Sequence, residues 1–381
     1  MYINPSVIIY RDWLLPPSET FILGQGEALS KFIPYYVGSC RKKGLVTPHD
    51  RTLVVNDGSV VGRFREISYK LIGPTPNFIQ QLQQFNPVLI HAHYGVGGIQ
   101  ALPLQQQLKI PLIVTYHGYD ELITDDYAKN SYFSHRVYIR RRDILKQKAH
   151  LFIAVSNYSK ESLIKQEFPE DKIVVHHIGI DTEFFQPDSS VARENIVLFV
   201  ARLVEKKGCE YLIRAMSKVQ EVKPDIELVI IGDGDLRGSL EQLAKECLRR
   251  YRFLGLQPPE VVRSWMNKAK VFSVPSIVAQ SGEAEGFGMV FAEAQAMGLP
   301  VVSFASGAIP ESVAHGEVGL LAEERNWEEL AQNILLLFED NTLWQRFSDT
   351  GQNRVRTLFN LRKQSHLLDQ IYQVTVDQFT S

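Results

Sequence analysis

Short runs of apolar residues recur along the chain, each followed by a polar or glycine-bearing turn and then by apolar residues at helical spacing. In the first half the runs are Val7–Tyr10, Val88–His91, Leu112–Thr115, Phe152–Val155 and Ile173–His176. In the second half they are Ile196–Val200, Glu227–Ile231, Val271–Val274 and Val301–Phe304. Strands that are apolar on both faces and separated by helices belong to parallel sheets wound from βαβ units. Two such sets predict an α/β chain of two doubly wound domains, with ligands at the carboxyl ends of the strands. The break falls in GIDTEFFQPDSSVAREN, residues 179–195, where turn formers and charges gather ahead of a fresh strand. The predicted division is 1–180, 181–360 and a tail, 361–381, whose Leu367, Leu368, Ile371, Tyr372 and Val374 are spaced as on one helix.

Length and composition agree with this division. A chain of 381 residues is too long for one ordinary core, and 45% hydrophobic with 22% charged residues is typical of a soluble globular protein. A net charge of −2 argues against a nucleic-acid binder. The charge is uneven, however. Residues 1–180 hold 20 Lys and Arg against 15 Asp and Glu, a net of +5, which leaves −7 for the remainder. A basic first half suits an anionic acceptor or an acidic membrane surface. Cys40, Cys209 and Cys247 are scattered, with neither metal-ligand spacing nor a disulfide framework. No secretory signal is read at the start, and no stretch approaches the ~20 apolar residues of a membrane span. The expected location is the cytoplasm, with peripheral contact at the inner face of the plasma membrane.

The strongest chemical signal is SGEAEGFGMVFAEAQAMGLP, residues 281–300. Gly286 and Gly288 favour an open turn directly before an apolar helix running to about Met297. Backbone N–H groups at such a helix start bind phosphate or sugar oxygens, and the helix dipole favours negative charge there. Glu285 and Glu293, with seven residues between them, supply carboxylates for two hydroxyl-bearing parts of one ligand. The second signal is FVARLVEKKGCEYLIRA, residues 199–215, in which Arg202, Lys206, Lys207 and Gly208 follow a strand and precede a helix. Cations at that point neutralise a diphosphate and stabilise its departure without a metal. Taken singly, Lys206 reads as a solvated loop lysine.

Weaker signals surround these. His117 in VTYHGYD follows a buried strand and precedes a glycine, at a domain's ligand edge. His91 and His93 in IHAHYG are read as pointing to opposite sides of a strand and hence as no metal pair. Asp233 and Asp235 in IGDGDLR are the nearest look-alike of a metal-binding aspartate pair, but they sit in a glycine turn. The segment from His135 to Lys148 reads as a basic amphipathic helix. Its Arg140 and Arg141 face an anionic membrane or an acceptor's lipid-linked phosphate, or are simply solvated.

Together these segments resemble glycosyltransferase family 4, the retaining family with the GT-B fold. The resemblance runs in order through PPSETFI, IHAHYG, TYHGYD, AVSNYSK, HIGIDTEFFQP, ARLVEKKG, IGDGDLRGSLE, FLGLQPPEVV, the glutamate segment and GAIPESVAHGEVGLL. The wording of the opening and of AEGFGMVFAEAQAMGLPVV is most similar to members that build bacterial exopolysaccharides of the colanic-acid type. It implies two Rossmann-like domains facing a cleft, the first chiefly for the acceptor and the second for the nucleotide-sugar donor, with the last helix crossing back onto the first. It implies that Glu285 contacts the donor sugar, Glu293 the ribose, and Arg202 with Lys207 the diphosphate. Phe287, Gly288 and Met289 would offer their backbone to sugar and phosphate. His117 would stand beside the reacting carbon, with Asp120 ordering its loop. One departure is the loop Pro16-Pro17-Ser18-Glu19-Thr20, where many relatives carry a glycine pair; Gly24 and Gly26 come later, inside a predicted helix. A carboxylate at Glu19 repels a diphosphate, so it is assigned to the acceptor side or to ordering the loop. The implied reaction uses a nucleotide diphosphate-sugar as co-substrate, no cofactor and no metal, and a sugar, lipid-linked sugar or small molecule as acceptor. A sugar-nucleotide epimerase of the same fold and a non-catalytic sugar-nucleotide-binding subunit remain as alternatives.

Overall fold

A computed structural model describes residues 4–41 and 44–380. It divides into two compact units, Met1–Gly179 with Leu361–Ser381, and Ile180–Asn360. The first unit holds β1 (Ser6–Tyr10), β2 (Ile33–Cys40), β3 (Thr52–Asn56), β4 (Pro87–His93), β5 (Leu112–Tyr116), β6 (Leu151–Ala154) and β7 (Ile173–Val175). They form one sheet in the order β3-β2-β1-β4-β5-β6-β7, and every pairing is parallel. The second unit holds β8 (Ile196–Val200), β9 (Glu227–Ile231), β10 (Tyr251–Phe253), β11 (Val271–Phe272), β12 (Val301–Phe304) and β13 (Gly319–Ala322), in the parallel order β10-β9-β8-β11-β12-β13. In each sheet the winding reverses once, between β1 and β4 and between β8 and β11, and such a reversal opens a crevice at the carboxyl ends of the strands.

The two-faced burial read from the apolar runs is present residue by residue. On β1, Ile8 and Tyr10 enter one core layer with Ile90, Val114 and Phe152, while Val7 and Ile9 enter the other with Leu89, Ile113 and Ile153. Alternate side chains of a strand point to opposite faces, so each layer needs its own helices. Strands β2, β3, β10 and β13 were not marked by apolar runs. β2 starts Ile-Pro and contains Gly38, every residue of β3 is only half-buried, and β10 exposes Arg252 between two aromatic residues. β13 offers just Leu320 and Leu321 between a glycine and an alanine. The predicted strand Val271–Val274 shortens to Val271–Phe272, although Ser273 and Val274 stay buried beyond it.

Among the described residues no helix is long and apolar enough to cross a membrane. The helix Leu361–Thr380 belongs to the first unit, where Leu368 and Tyr372 complete the layer containing Val7 and Ile9. Its Asp369 is fully buried and accepts hydrogen bonds from the Ser30 amide (2.9 Å), the Ser30 hydroxyl (2.7 Å) and the Lys31 amide (3.3 Å). Tyr372 lies 2.5 Å through its hydroxyl from His91 Nδ1. Removing a buried acceptor leaves its donors unsatisfied, at about 1–3 kcal/mol for each. Asp369→Ala should therefore destabilise the first unit by about 2–4 kcal/mol, with Asp369→Asn retaining part of the loss. Urea unfolding followed by amide exchange in each unit measures this; exchange unchanged near residues 22–36 would show that the helix is anchored elsewhere.

Candidate active site

The crevice of the second unit is built by the loops after β8 and β11. Gly208, at φ +60°, lets the first loop close onto the second, since a Cβ there would lie 1.9 Å from the Pro275 carbonyl oxygen. The Ile277 amide also donates to the Lys206 carbonyl at 2.8 Å. This docking aligns two ion pairs: Lys206 with Glu283 at 2.5 Å, and Lys207 with Glu285. Ser276 adds a hydroxyl at 3.3 Å from the Glu285 carboxylate. Burial opposes ionisation of Glu285, but Lys207 and Lys206 outweigh it and hold the carboxyl down at about 2. Lys206 is thus not the solvated loop lysine expected, because only 9% of it is exposed and it is the ion-pair partner of Glu283. Arg202 is 4.0 Å from Glu283 and its side chain is 64% exposed, a cation reaching outward beside a buried cluster.

The glutamate loop then turns into the helix Met289–Ala296, capped by Gly288 in the left-handed region at φ +76°. A Cβ at Gly288 would strike the Phe291 ring at 2.5 Å, so glycine is required. Phe287 is buried edge-on against Phe359 at 5.1 Å and holds the turn down. The Ala308 amide fixes the Glu285 carbonyl at 2.9 Å. Amides at the start of this helix lie next to Glu285 and Lys207, while Glu293 sits one turn further along. Burial pushes the Glu293 carboxyl up to about 7, and it has no hydrogen-bond partner among the described residues. Asp233, the metal look-alike, accepts from the Gly234 amide at 2.8 Å and pairs with Arg237 at 3.2 Å.

In the first unit the crevice gathers aromatic and neutral polar groups. His117 follows β5, and its Nε2 lies 2.9 Å from His93 Nδ1. Its Nδ1 is buried with no partner among the described residues. The ring packs against Phe21 (5.0 Å) and Tyr94 (4.9 Å). Burial and neighbouring positive groups push His117 and His93 well below the usual imidazole range, so both are neutral. The reading of His91 and His93 as opposed is corrected: residues two apart on a strand share a face, and their rings are 4.3 Å apart.

Glu19 receives Arg11 in a fork, through Nε (3.0 and 3.1 Å) and Nη2 (2.8 Å), and the guanidinium lies 4.2 Å over the Tyr94 ring. Its charge is spent on ordering the loop after β1. Asp120 accepts from the Val96 amide at 3.1 Å, at the start of the helix Gly95–Leu108. Arg140 and Arg141 are exposed on the helix Phe133–Lys148 and make no hydrogen bond or ion pair among the described residues. The apolar side of that helix is turned inward at Tyr138 and Leu145.

Three residues escaped the sequence reading. Arg11 stands directly after β1, and Tyr94 directly after β4 with φ +68°, a conformation rarely taken by a bulky residue. Glu121 accepts from the amides of Gly118 (2.7 Å) and Tyr119 (3.1 Å) and from the Ser159 hydroxyl (2.6 Å). It shapes the turn that presents His117, and burial pushes its carboxyl to about 6. The sequence signal for Arg11 was its place at a central strand's carboxyl end; Glu121 is a lone turn glutamate with none.

Comparison with known proteins agrees with this architecture. The family described as "Glycosyltransferase Family 4" matches residues 32–184, and "Glycosyl transferases group 1" matches residues 181–354. An uncharacterized glycosyltransferase of Methanocaldococcus jannaschii is 31% identical over 305 residues, 79% of this chain and 80% of that protein. The amylovoran biosynthesis glycosyltransferase AmsK of Erwinia amylovora is 29% identical over 320 residues, 79% of this chain and 73% of that protein. The crystal structure of HepE from Anabaena in complex with UDP and glucose shares the fold at a TM-score of 0.77 and 18% identity, covering 97% of this chain and all of that one. With both halves matched and two parallel Rossmann-like sheets in the GT-B arrangement of strands, the chain belongs to glycosyltransferase family 4.

Proposed function

We propose that the protein transfers a sugar from a nucleoside diphosphate sugar to an acceptor, with retention at the anomeric carbon and without a metal ion. The observation that carries this reading is the second unit's crevice. Two lysines and two carboxylates are paired there, largely out of water, against a glycine-opened helix start, with the unpartnered carboxyl of Glu293 one turn away. An arriving diphosphate draws Lys207 from Glu285 and recruits Arg202, while the Gly288 and Met289 amides meet its oxygens. Glu285, released from Lys207, accepts the donor sugar's hydroxyls, and Glu293 accepts those of the ribose. In the first unit, neutral His117 keeps an open Nδ1 with which to meet a sugar hydroxyl. The bond from the anomeric carbon to the diphosphate breaks while the acceptor oxygen bonds on the same face. The acceptor's proton passes to the departing phosphate oxygen, so no side chain serves as base.

HepE binds UDP and glucose, and AmsK serves amylovoran biosynthesis, which supports a sugar-nucleotide donor and a role in exopolysaccharide or related glycoconjugate synthesis. The acceptor, a sugar, lipid-linked sugar or small molecule, belongs to the basic first unit, which works at the face of an anionic membrane. A donor panel read by nucleoside diphosphate release, with product mass, tests the reading. Release should survive exhaustive chelation, because cations of the chain itself neutralise the leaving group. Activity lost with EDTA and restored by Mg²⁺ or Mn²⁺ would sink the metal-free route. An epimerised free sugar, or no product from any donor, would replace the transferase reading by an epimerase or a silent binder.

The two glutamates should separate in calorimetry. Glu285→Gln frees Lys207, so it should bind the free nucleoside diphosphate as well as or better than the unaltered protein while losing about tenfold or more for the sugar donor. Glu293→Gln should weaken both ligands in parallel. Equal loss of free nucleotide in the two variants would show the pair to be misassigned.

Glu293 also sets a pH dependence. Its carboxyl, raised to about 7, is mostly protonated at pH 6 and ionised at pH 8, and the ionised form is the better acceptor for two ribose hydroxyls. Nucleotide affinity should therefore rise with pH, by up to about tenfold from pH 6 to pH 8. The Glu293→Gln profile should be flat over the same range; an unaltered slope would move the effect to another group.

A further inference from the structure

The helix Val60–Leu71, packed on β2 and β3 at the edge of the first sheet, is amphipathic the wrong way round. Its start is conventionally capped, with the Ser59 hydroxyl accepting from the Gly62 amide at 2.9 Å. Its inner side consists of Gly62, Glu66 and Tyr69. Glu66 accepts from Asn56 Nδ2 at 2.7 Å and from Lys70 at 2.8 Å, and Lys70 also reaches Asp12 at 3.2 Å. At 3.6 residues per turn, Val60, Phe64, Ile67 and Leu71 form one stripe directly opposite this inner side. They are 71%, 69%, 55% and 72% exposed. A soluble surface rarely shows so continuous an apolar strip unless something covers it.

We propose that this stripe is a membrane-docking face that lies in the headgroup region of an anionic bilayer. Arg63 and Arg65 flank the stripe on its two sides and are exposed, and their guanidinium groups form no ion pair or hydrogen bond among the described residues. Of the nearby carboxylates, Glu66 and Asp12 are engaged with Lys70, while the exposed Asp57 accepts from the Ser59 amide at 3.0 Å and feels the charge of Arg65. The outward side is thus apolar along its middle and cationic along its margins, the complement of acyl chains beneath lipid phosphates. A second copy of the chain fits less well, because a two-fold contact through this face would bring arginine against arginine. The helix Phe133–Lys148 differs in that it buries Tyr138 and Leu145 against the unit and leaves only the separated Phe133 and Ile144 exposed among its large apolar residues.

The inference is independent of the donor chemistry, and its test uses the full chain with vesicles. Sedimentation is measured with phosphatidylcholine alone and with about 30% phosphatidylglycerol, at low and high salt. The unaltered protein should bind the anionic vesicles at least about tenfold more tightly than the neutral ones. Phe64→Ser with Leu71→Ser should reduce anionic binding about tenfold or more while thermal melting and nucleoside diphosphate release stay unchanged. Arg63→Ala with Arg65→Ala should remove the preference for anionic vesicles and its salt sensitivity. The proposal is overturned if the unaltered protein ignores both vesicles, or if the Phe64 and Leu71 variant binds like it. It is equally overturned if only Arg140→Ala with Arg141→Ala loses binding, or if light scattering shows that the stripe variant dissociates a dimer.

Discussion

Strands buried on both faces are the constraint from which the rest of this structure follows. A parallel strand such as β1 places Ile8 and Tyr10 in one layer and Val7 and Ile9 in the other, so neither face tolerates water. Helices must cover both sides, and each crossover returns the chain to the same end of the sheet. Polar groups are then expelled to the strand ends, and the winding reversal leaves one crevice in each sheet where they converge. The C-terminal helix obeys the same demand, since Leu368 and Tyr372 close the layer that Val7 and Ile9 would otherwise expose.

The two crevices handle charge in opposite ways. In the second unit, charge is concentrated and balanced: Lys206 with Glu283 and Lys207 with Glu285, all largely out of water. Burying an ion pair costs nearly as much as its attraction returns, so these pairs are weak stabilisers and suit exchange with an anionic ligand. In the first unit, the pair at the crevice, Arg11 with Glu19, is a forked contact that holds a loop, while the histidines are kept neutral by burial. Each unit thus keeps its own charges matched at its strand ends, by ion pairing in the second and by a forked contact and desolvated neutral rings in the first.

Much of this was legible in the linear pattern. Runs such as Ile196–Val200 and Val301–Phe304 match β8 and β12 residue for residue, because a fully buried strand must be apolar or, as at Ser303, bond its polar atom inside. Gly288 announced the helix start, since its left-handed backbone and the Phe291 ring exclude any Cβ. Half-buried strands left weaker marks, and β3 and β10 passed unseen for that reason. The stripe Val60, Phe64, Ile67 and Leu71 has the spacing of a core helix, and spacing alone does not say which side of a helix faces the sheet.

The sequence by itself determined the two parallel-sheet halves, the buried strands at their centres, and the residue types gathered at the strand ends, because periodicity and glycine requirements are local properties of the chain. Only the tertiary structure decided the partners. Lys206 reads as a loop lysine until Gly208 docks its loop on Pro275 and brings Glu283 to 2.5 Å. Glu19 reads as meeting the acceptor or ordering its loop until Arg11 folds onto it, and Glu121 gains meaning only when the Gly118 amide and the Ser159 hydroxyl converge on it. Ion pairing and desolvation depend on distances across the fold, between residues as far apart as Lys207 and Glu285, and no local pattern encodes those distances.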